Sequence, residues 1–135
     1  MIPDDFTRYS LALMKGDKIL YKSIEDRLKP LVYCVSKFKG KIDGCLLYDK
    51  VIGLAAARLI VHSKMIAKVV TPLASNPAID LLKNNSIEID AFETVANIMA
   101  DDGENICPME RRALSQPDNE KFFHEMQVLM KFVID

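Results

Sequence analysis

From residue 44 onward, short apolar runs alternate with helix-length segments, and that alternation restricts the fold more than anything else in the chain. Gly44-Cys-Leu-Leu-Tyr48 reads as a buried strand ended by Asp49-Lys50. Val51 to Ile60 follows as a helix, with Gly53 and Ala55-Ala56-Ala57 adding little bulk, so that it can pack closely on a sheet. Ile66 to Thr71 is a second strand, stopped by Pro72. Ser75 or Asn76 before Pro77 suits a helix cap with proline in the first turn; Ala78, Leu81 and Leu82 continue that helix, and Asn84-Asn85 closes it. Ile87-Glu-Ile-Asp-Ala-Phe92 alternates as a strand does. Strands separated by helices imply parallel neighbours joined by right-handed crossovers.

The flanks complete the pattern. Residues 10–22 hold two apolar runs around Gly16-Asp17, a hairpin signal. Ser23-Ile24-Glu25-Asp26 reads as a helix entry, with Leu28, Leu31, Val32, Val35 and Phe38 at helical spacing and Gly40 as the stop. Val95, Ile98 and Met99 suggest a short helical turn before Asp101-Asp102-Gly103. Pro108 opens a helix to about Leu114, and Phe122, Phe123, Met126, Leu129, Met130 and Val133 form the apolar stripe of a last one, with Asp118 or Ser115 as cap. The fold class is α/β: a mixed sheet of about five strands with an N-terminal hairpin and helices on both faces, in a single domain, 1–135.

Half of the 135 residues are apolar and 27% are charged, which suffices for a core without disulfide staples. The net charge is −1 with no basic block, which argues against nucleic acid as partner. The acidic start carries no apolar signal region. The longest apolar run, Val51 to Val61, is interrupted by Gly53 and Arg58 and is too short to span a bilayer, so no membrane role is expected. Cys34, Cys45 and Cys107 form no metal or disulfide pattern, which fits a reducing cytoplasm. No metal site and no cofactor are expected.

The chemistry concentrates in Asn105-Ile-Cys-Pro-Met-Glu-Arg-Arg112. Cys107 precedes a proline at a helix start, where backbone donors and the helix dipole favour a thiolate. Glu110 lies one turn on and can face the same pocket. Lys50 follows a strand, a reasonable anion contact, and Asp49 can orient it. The expected ligand contacts are therefore Asp49, Lys50, Asp102 and Cys107, with Cys107 and Glu110 as the catalytic pair if a reaction exists. Each has a plainer reading: Asp49 as a cap, Lys50 as a solvated lysine, Glu110 as a helix-dipole partner or an arginine's ion-pair partner, and Cys107 as packing. Cys34 and Cys45 fall on apolar runs as core residues.

Asp49-Lys-Val-Ile-Gly-Leu-Ala-Ala-Ala57, Asn76-Pro-Ala-Ile-Asp-Leu-Leu82 and Cys107-Pro-Met-Glu-Arg-Arg-Ala-Leu114 together resemble an uncharacterised bacterial family, a domain of unknown function with a cytidine deaminase-like fold. The resemblance implies a three-layer α/β/α domain of deaminase type; it does not imply deaminase activity. Zinc deaminases need a His or Cys two residues before a Glu, and a Pro-Cys-x-x-Cys. Neither pattern is present, and the corresponding helix starts hold Glu25 or Asp26 and Asp49 or Lys50. Three functional classes follow: a catalytically altered domain binding a small anionic or nucleotide-like ligand, a Cys107-dependent enzyme, and a non-catalytic interaction module that forms a homodimer.

Overall fold

The computed structural model describes residues 8–25, 27–100 and 102–130. The hairpin comes first: β1 (Leu11–Lys15) and β2 (Lys18–Ser23) pair antiparallel around Gly16, whose φ of +60° suits a residue without a side chain. Then follow α1 (Lys29–Phe38), β3 (Cys45–Asp49), β4 (Val51–Ile52), α2 (Leu54–Ser63), β5 (Ile66–Ser75), α3 (Asn76–Asn84), β6 (Glu88–Val95), α4 (Pro108–Ser115) and α5 (Asn119–Leu129). The sheet is mixed and six-stranded. β1 lies between β2 and β3, antiparallel to both, while β3, β4 and β6 run parallel to β5.

The α/β class and the hairpin agree with the sequence; several boundaries differ. Ser23 belongs to β2 and its hydroxyl accepts from the Glu25 N–H (3.0 Å), so α1 begins only at Lys29, with Pro30 in its first turn. Asp26 lies outside the described residues. The expected turn of helix at Val95–Met99 is absent. Met99 instead pairs with Ile106 in an antiparallel bridge, and the Ala100 N–H donates to the Asn105 carbonyl at 2.7 Å.

The largest difference is at residue 50. The helix expected from Val51 starts at Leu54, because Val51 and Ile52 pair with Leu73 and Ala74 of β5. Tyr48 faces Val70 and Val51 faces Leu73 along one register, so β3 and β4 are one strand broken at Asp49-Lys50. Leu47 and Ile52 both belong to the main core although they stand five positions apart, and so do Val69 and Ala74 of β5. In an uninterrupted strand each pair would point to opposite faces. The alternation therefore slips in both strands at the same level, beside Lys50 in one and Pro72 in the other. Pro72 does not end its strand. It sits at the irregularity, where proline is tolerated, and the Thr71 hydroxyl accepts from the Leu73 N–H (3.3 Å).

All five helices contribute to one main core with Leu11, Leu13, Leu47 and Val69 of the sheet. The opposite sheet face holds a small cluster of Ala12 and Tyr48 with Met14, to which no described helix contributes. The expected helices on both faces are thus not found among the described residues, and the topology explains why. The steps β2 to β3, β3–β4 to β5, and β5 to β6 all move across the sheet in the same direction. Right-handed crossovers that never reverse direction put their helices on one face.

Helix α2 lies at the centre of that layer, touching α1, α3, α4 and α5. Ala55, Ala56, Ala57, Leu59 and Ile60 are buried, which explains its small residues. Arg58 is buried among them. No helix among the described residues is long and apolar enough to cross a membrane.

Candidate functional site

β4, β5 and β6 end at one edge of the sheet, where α2 and α3 start. Ligands of open α/β sheets bind at such an edge. The start of α3 is satisfied locally, since the Ser75 hydroxyl accepts from the Ala78 N–H at 3.3 Å. The start of α2 has Gly53 as its cap and no side chain of its own to offer. Its first amides are taken by Glu110, from α4. Glu110 Oε2 accepts from the Leu54 N–H and Oε1 from the Ala55 N–H, both at 2.8 Å. Glu110 as a whole is 6% exposed. It also lies in the first turn of α4, so a single negative charge serves two helix starts. Gly53 makes the approach possible: a Cβ there would stand 2.6 Å from Glu110 Oε1 and 2.8 Å from Ile98 Cγ1.

The segment that delivers Glu110 is held down beside it. Cys107 caps α4, donates its backbone N–H to the Ile98 carbonyl (3.1 Å) and accepts from Arg111 N–H (3.1 Å). Its thiol is partly exposed, whereas Cys34 and Cys45 are buried. Burial pushes the Cys34 thiol up to about 12. Asp102 is exposed and spends its carboxylate on its own turn, accepting from the backbone of Glu104 (2.9 Å) and Asn105 (3.0 Å) and from the Asn105 side chain (2.8 Å). Those donors lower its pKa.

Asp49 is buried at the strand break, on the side of Leu47 and Leu11. Burial raises its carboxyl well above the usual range, against the backbone N–H groups of Val51 and Lys50, which favour the charged form. Lys50 is exposed, and its N–H donates to the Ser10 carbonyl (3.0 Å). The fold therefore brings Cys107 and Glu110 to the β4–α2 junction, leaves Asp49 and Lys50 at the break before it, and sets Asp102 on an outlying turn. The helix start that the deaminase comparison assigned to Asp49 or Lys50 is formed by Gly53, Leu54 and Ala55, because Val51 and Ile52 extend the strand. Among the described residues, no three His, Cys, Asp or Glu side chains are grouped to hold a metal. The residues do not fit a deaminase zinc.

None of these five residues lines either of two surface clefts. One cleft, of about 330 Å³, opens one turn further along α2, between α3 and the α4–α5 junction. Arg58, Asn85, Gln116 and Asn119 line it, with Leu54 and Val61 among its apolar walls. Arg58 is 8% exposed. Its Nη1 donates to the carbonyls of Ala113 (2.7 Å) and Gln116, its Nη2 and Nε donate to Asn119 Oδ1 (2.8 and 3.2 Å), and it stacks on Phe122 at 4.6 Å. Among the described residues no carboxylate forms an ion pair with it. The sequence did contain a signal for this residue, a single charge interrupting an apolar, alanine-rich helix, but a charge at that spacing is equally compatible with a solvent-facing position.

This arrangement defines an α/β domain on a mixed six-stranded sheet, whose central helix is capped by a carboxylate from a distant part of the chain. The chain belongs to the DUF1893 family, a domain of unknown function, whose model matches residues 5–130. It is similar to the crystal structure of a DUF1893 family protein (TM1506) from Thermotoga maritima, with 25% identity and a TM-score of 0.78, over 98% of this chain and 93% of that one. No curated protein matches the chain.

Proposed function

We propose that this DUF1893 domain is a non-catalytic binding protein with a cytidine deaminase-like layout, and that its ligand is a small anion. The observation that carries the non-catalytic half is the Glu110 carboxylate on the Leu54 and Ala55 amides. In a deaminase-type layout the start of this helix is where the metal ligands and the reacting water belong. Here the chain fills that position with its own carboxylate, and Gly53 leaves no spare volume. Glu110 faces α2 with both oxygens, which removes it as the base for the Cys107 thiol and counts against the Cys107-dependent enzyme. Asp49 and Asp102 serve local backbone in this reading, and Lys50 remains at the surface as an accessory cation.

The test has two arms. Purified protein incubated with cytidine, deoxycytidine, adenosine and guanine, with and without added zinc, should release no ammonia above a protein-free control. Iodoacetamide should label Cys107 no faster than it labels cysteine in a short peptide. Deamination that the Glu110→Ala variant loses, or a fast-reacting Cys107, would contradict the proposal.

A further inference from the structure

The geometry points to the Arg58 cleft as the binding site for a small organic anion, a carboxylate or phosphate monoester carried on a compact apolar body. The inference supplies the location and chemistry of the ligand proposed above.

Arg58 is a buried guanidinium whose acceptors are all neutral: two backbone carbonyls at the end of α4 and one side-chain amide oxygen. Asp118 and Glu125 act on it only at a distance, without an ion pair. A helix C-terminus offers partial negative charge, about half an elementary charge. A buried cation is ordinarily matched by a full one. Among the described residues no carboxylate pairs with it directly, and no Asp or Glu lines the cleft.

A guanidinium has five N–H groups. Arg58 uses both on Nη1, the one on Nε and one on Nη2, which leaves one Nη2–H. Asn119 gives its oxygen to Arg58, so its NH₂ remains as donor. Gln116 gives its oxygen to the Asp118 N–H (3.1 Å), so its NH₂ remains too. Asn85 donates to the Leu81 carbonyl (2.8 Å) with one hydrogen and keeps the other. The polar wall is thus rich in donors while the amide oxygens of Gln116 and Asn119 are already engaged. That pattern suits a carboxylate or phosphate and disfavours a cation. Leu54 and Val61 provide an apolar surface for the rest of the ligand. The volume stands at the small end of the range of about 300–1,000 Å³ typical of ligand pockets.

Calorimetry on the intact chain with phenyl phosphate, benzoate and neutral benzamide tests the inference. Phenyl phosphate and benzoate should bind and benzamide should not. Asn85→Asp, at an exposed position, puts a like charge beside the ligand and should weaken both anions by about tenfold or more. Arg58→Lys keeps the charge but loses the planar fork, and should weaken them further if it folds. Asn85→Asp decides the matter should Arg58→Lys not fold. Benzamide binding as well as benzoate, binding of both anions unaffected by Asn85→Asp, or no heat with either anion would overturn the assignment. Those outcomes are separable from failure of the non-catalytic reading, which the ammonia and iodoacetamide assays decide without reference to the cleft.

Discussion

The two ends of α4 meet α2 in opposite ways. At its start, Glu110 brings a carboxylate to the Leu54 and Ala55 amides, and charge, donors and space all close. At its end, Arg58 of α2 reaches out to the Ala113 and Gln116 carbonyls, and the charge stays open above a cleft. The contrast separates a polar group that completes the fold from one that leaves something for a partner to complete. A helix start alone would have suggested an anion site, but here the chain already provides the anion.

If the closed end is structural, breaking it gives the largest effect. Glu110→Ala strands the buried Ala55 amide and the part-buried Leu54 amide and should cost about 3 kcal/mol, lowering the melting temperature by roughly 10 °C. Glu110→Gln keeps an acceptor and should lose about half as much. Gly53→Ala pushes a methyl group into the carboxylate and into Ile98, at a cost of about 2 kcal/mol. The pair sharpens the comparison: with Glu110 already Ala, Gly53→Ala should cost at least about 1 kcal/mol less, measured by urea unfolding in a double-mutant cycle. Additive losses would mean that Gly53 is needed for another reason.

Asp49 gives the next effect, read against pH. Its carboxyl is raised in the folded state. As pH climbs above the unfolded value of about 3.9, the unfolded chain gives up this proton while the folded chain keeps it. This group's contribution therefore falls from there up to the folded pKa and is level beyond. Asp49→Asn removes that dependence. Its stability relative to the parent should improve steadily from pH 4 upward in denaturant titrations; a constant difference across pH would show that Asp49 is ionised in the fold.

Asp102 is expected to give the smallest effect, with the opposite sign. Its lowered pKa makes the turn it holds strongest above the unfolded value and weaker as pH falls through the folded one. Asp102→Asn should speed hydrogen exchange at the Glu104 and Asn105 amides at pH 6 without moving the global melting temperature. An equal loss of protection at α2 would mean that the turn and the Glu110 cap form one unit.

The fold class, the hairpin, and the starts of α3, α4 and α5 were legible because local chemistry decides them: Gly16 in its turn, Ser75 and Asp118 as caps, Pro108 at a helix start. The start of α2 was not. Val51 and Ile52 satisfy either a helix or a strand, and only β5 decides between them. Pro72 misled because a strand irregularity accommodates what a regular strand rejects. One-sided helix packing was implicit in the order of elements once the order of strands was known, and the sequence does not print that order. Glu110 was singled out beside Cys107, but the amides it binds lie more than fifty residues away, beyond any local pattern. Arg58 needed the burial of α2 on all sides before its charge acquired a meaning.

The contrast between the closed and open ends of α4 can be tested in one titration: phenyl phosphate added to isotopically labelled protein and followed by ¹H–¹⁵N NMR. The account predicts that the Arg58 Nε–H and the side-chain NH₂ groups of Asn85 and Asn119 shift in a saturable manner, while the Ala55 amide, held by Glu110, stays in place. A saturable shift of the Ala55 amide with Arg58 and the two asparagines unmoved would contradict it, since the anion would then have displaced Glu110 from α2.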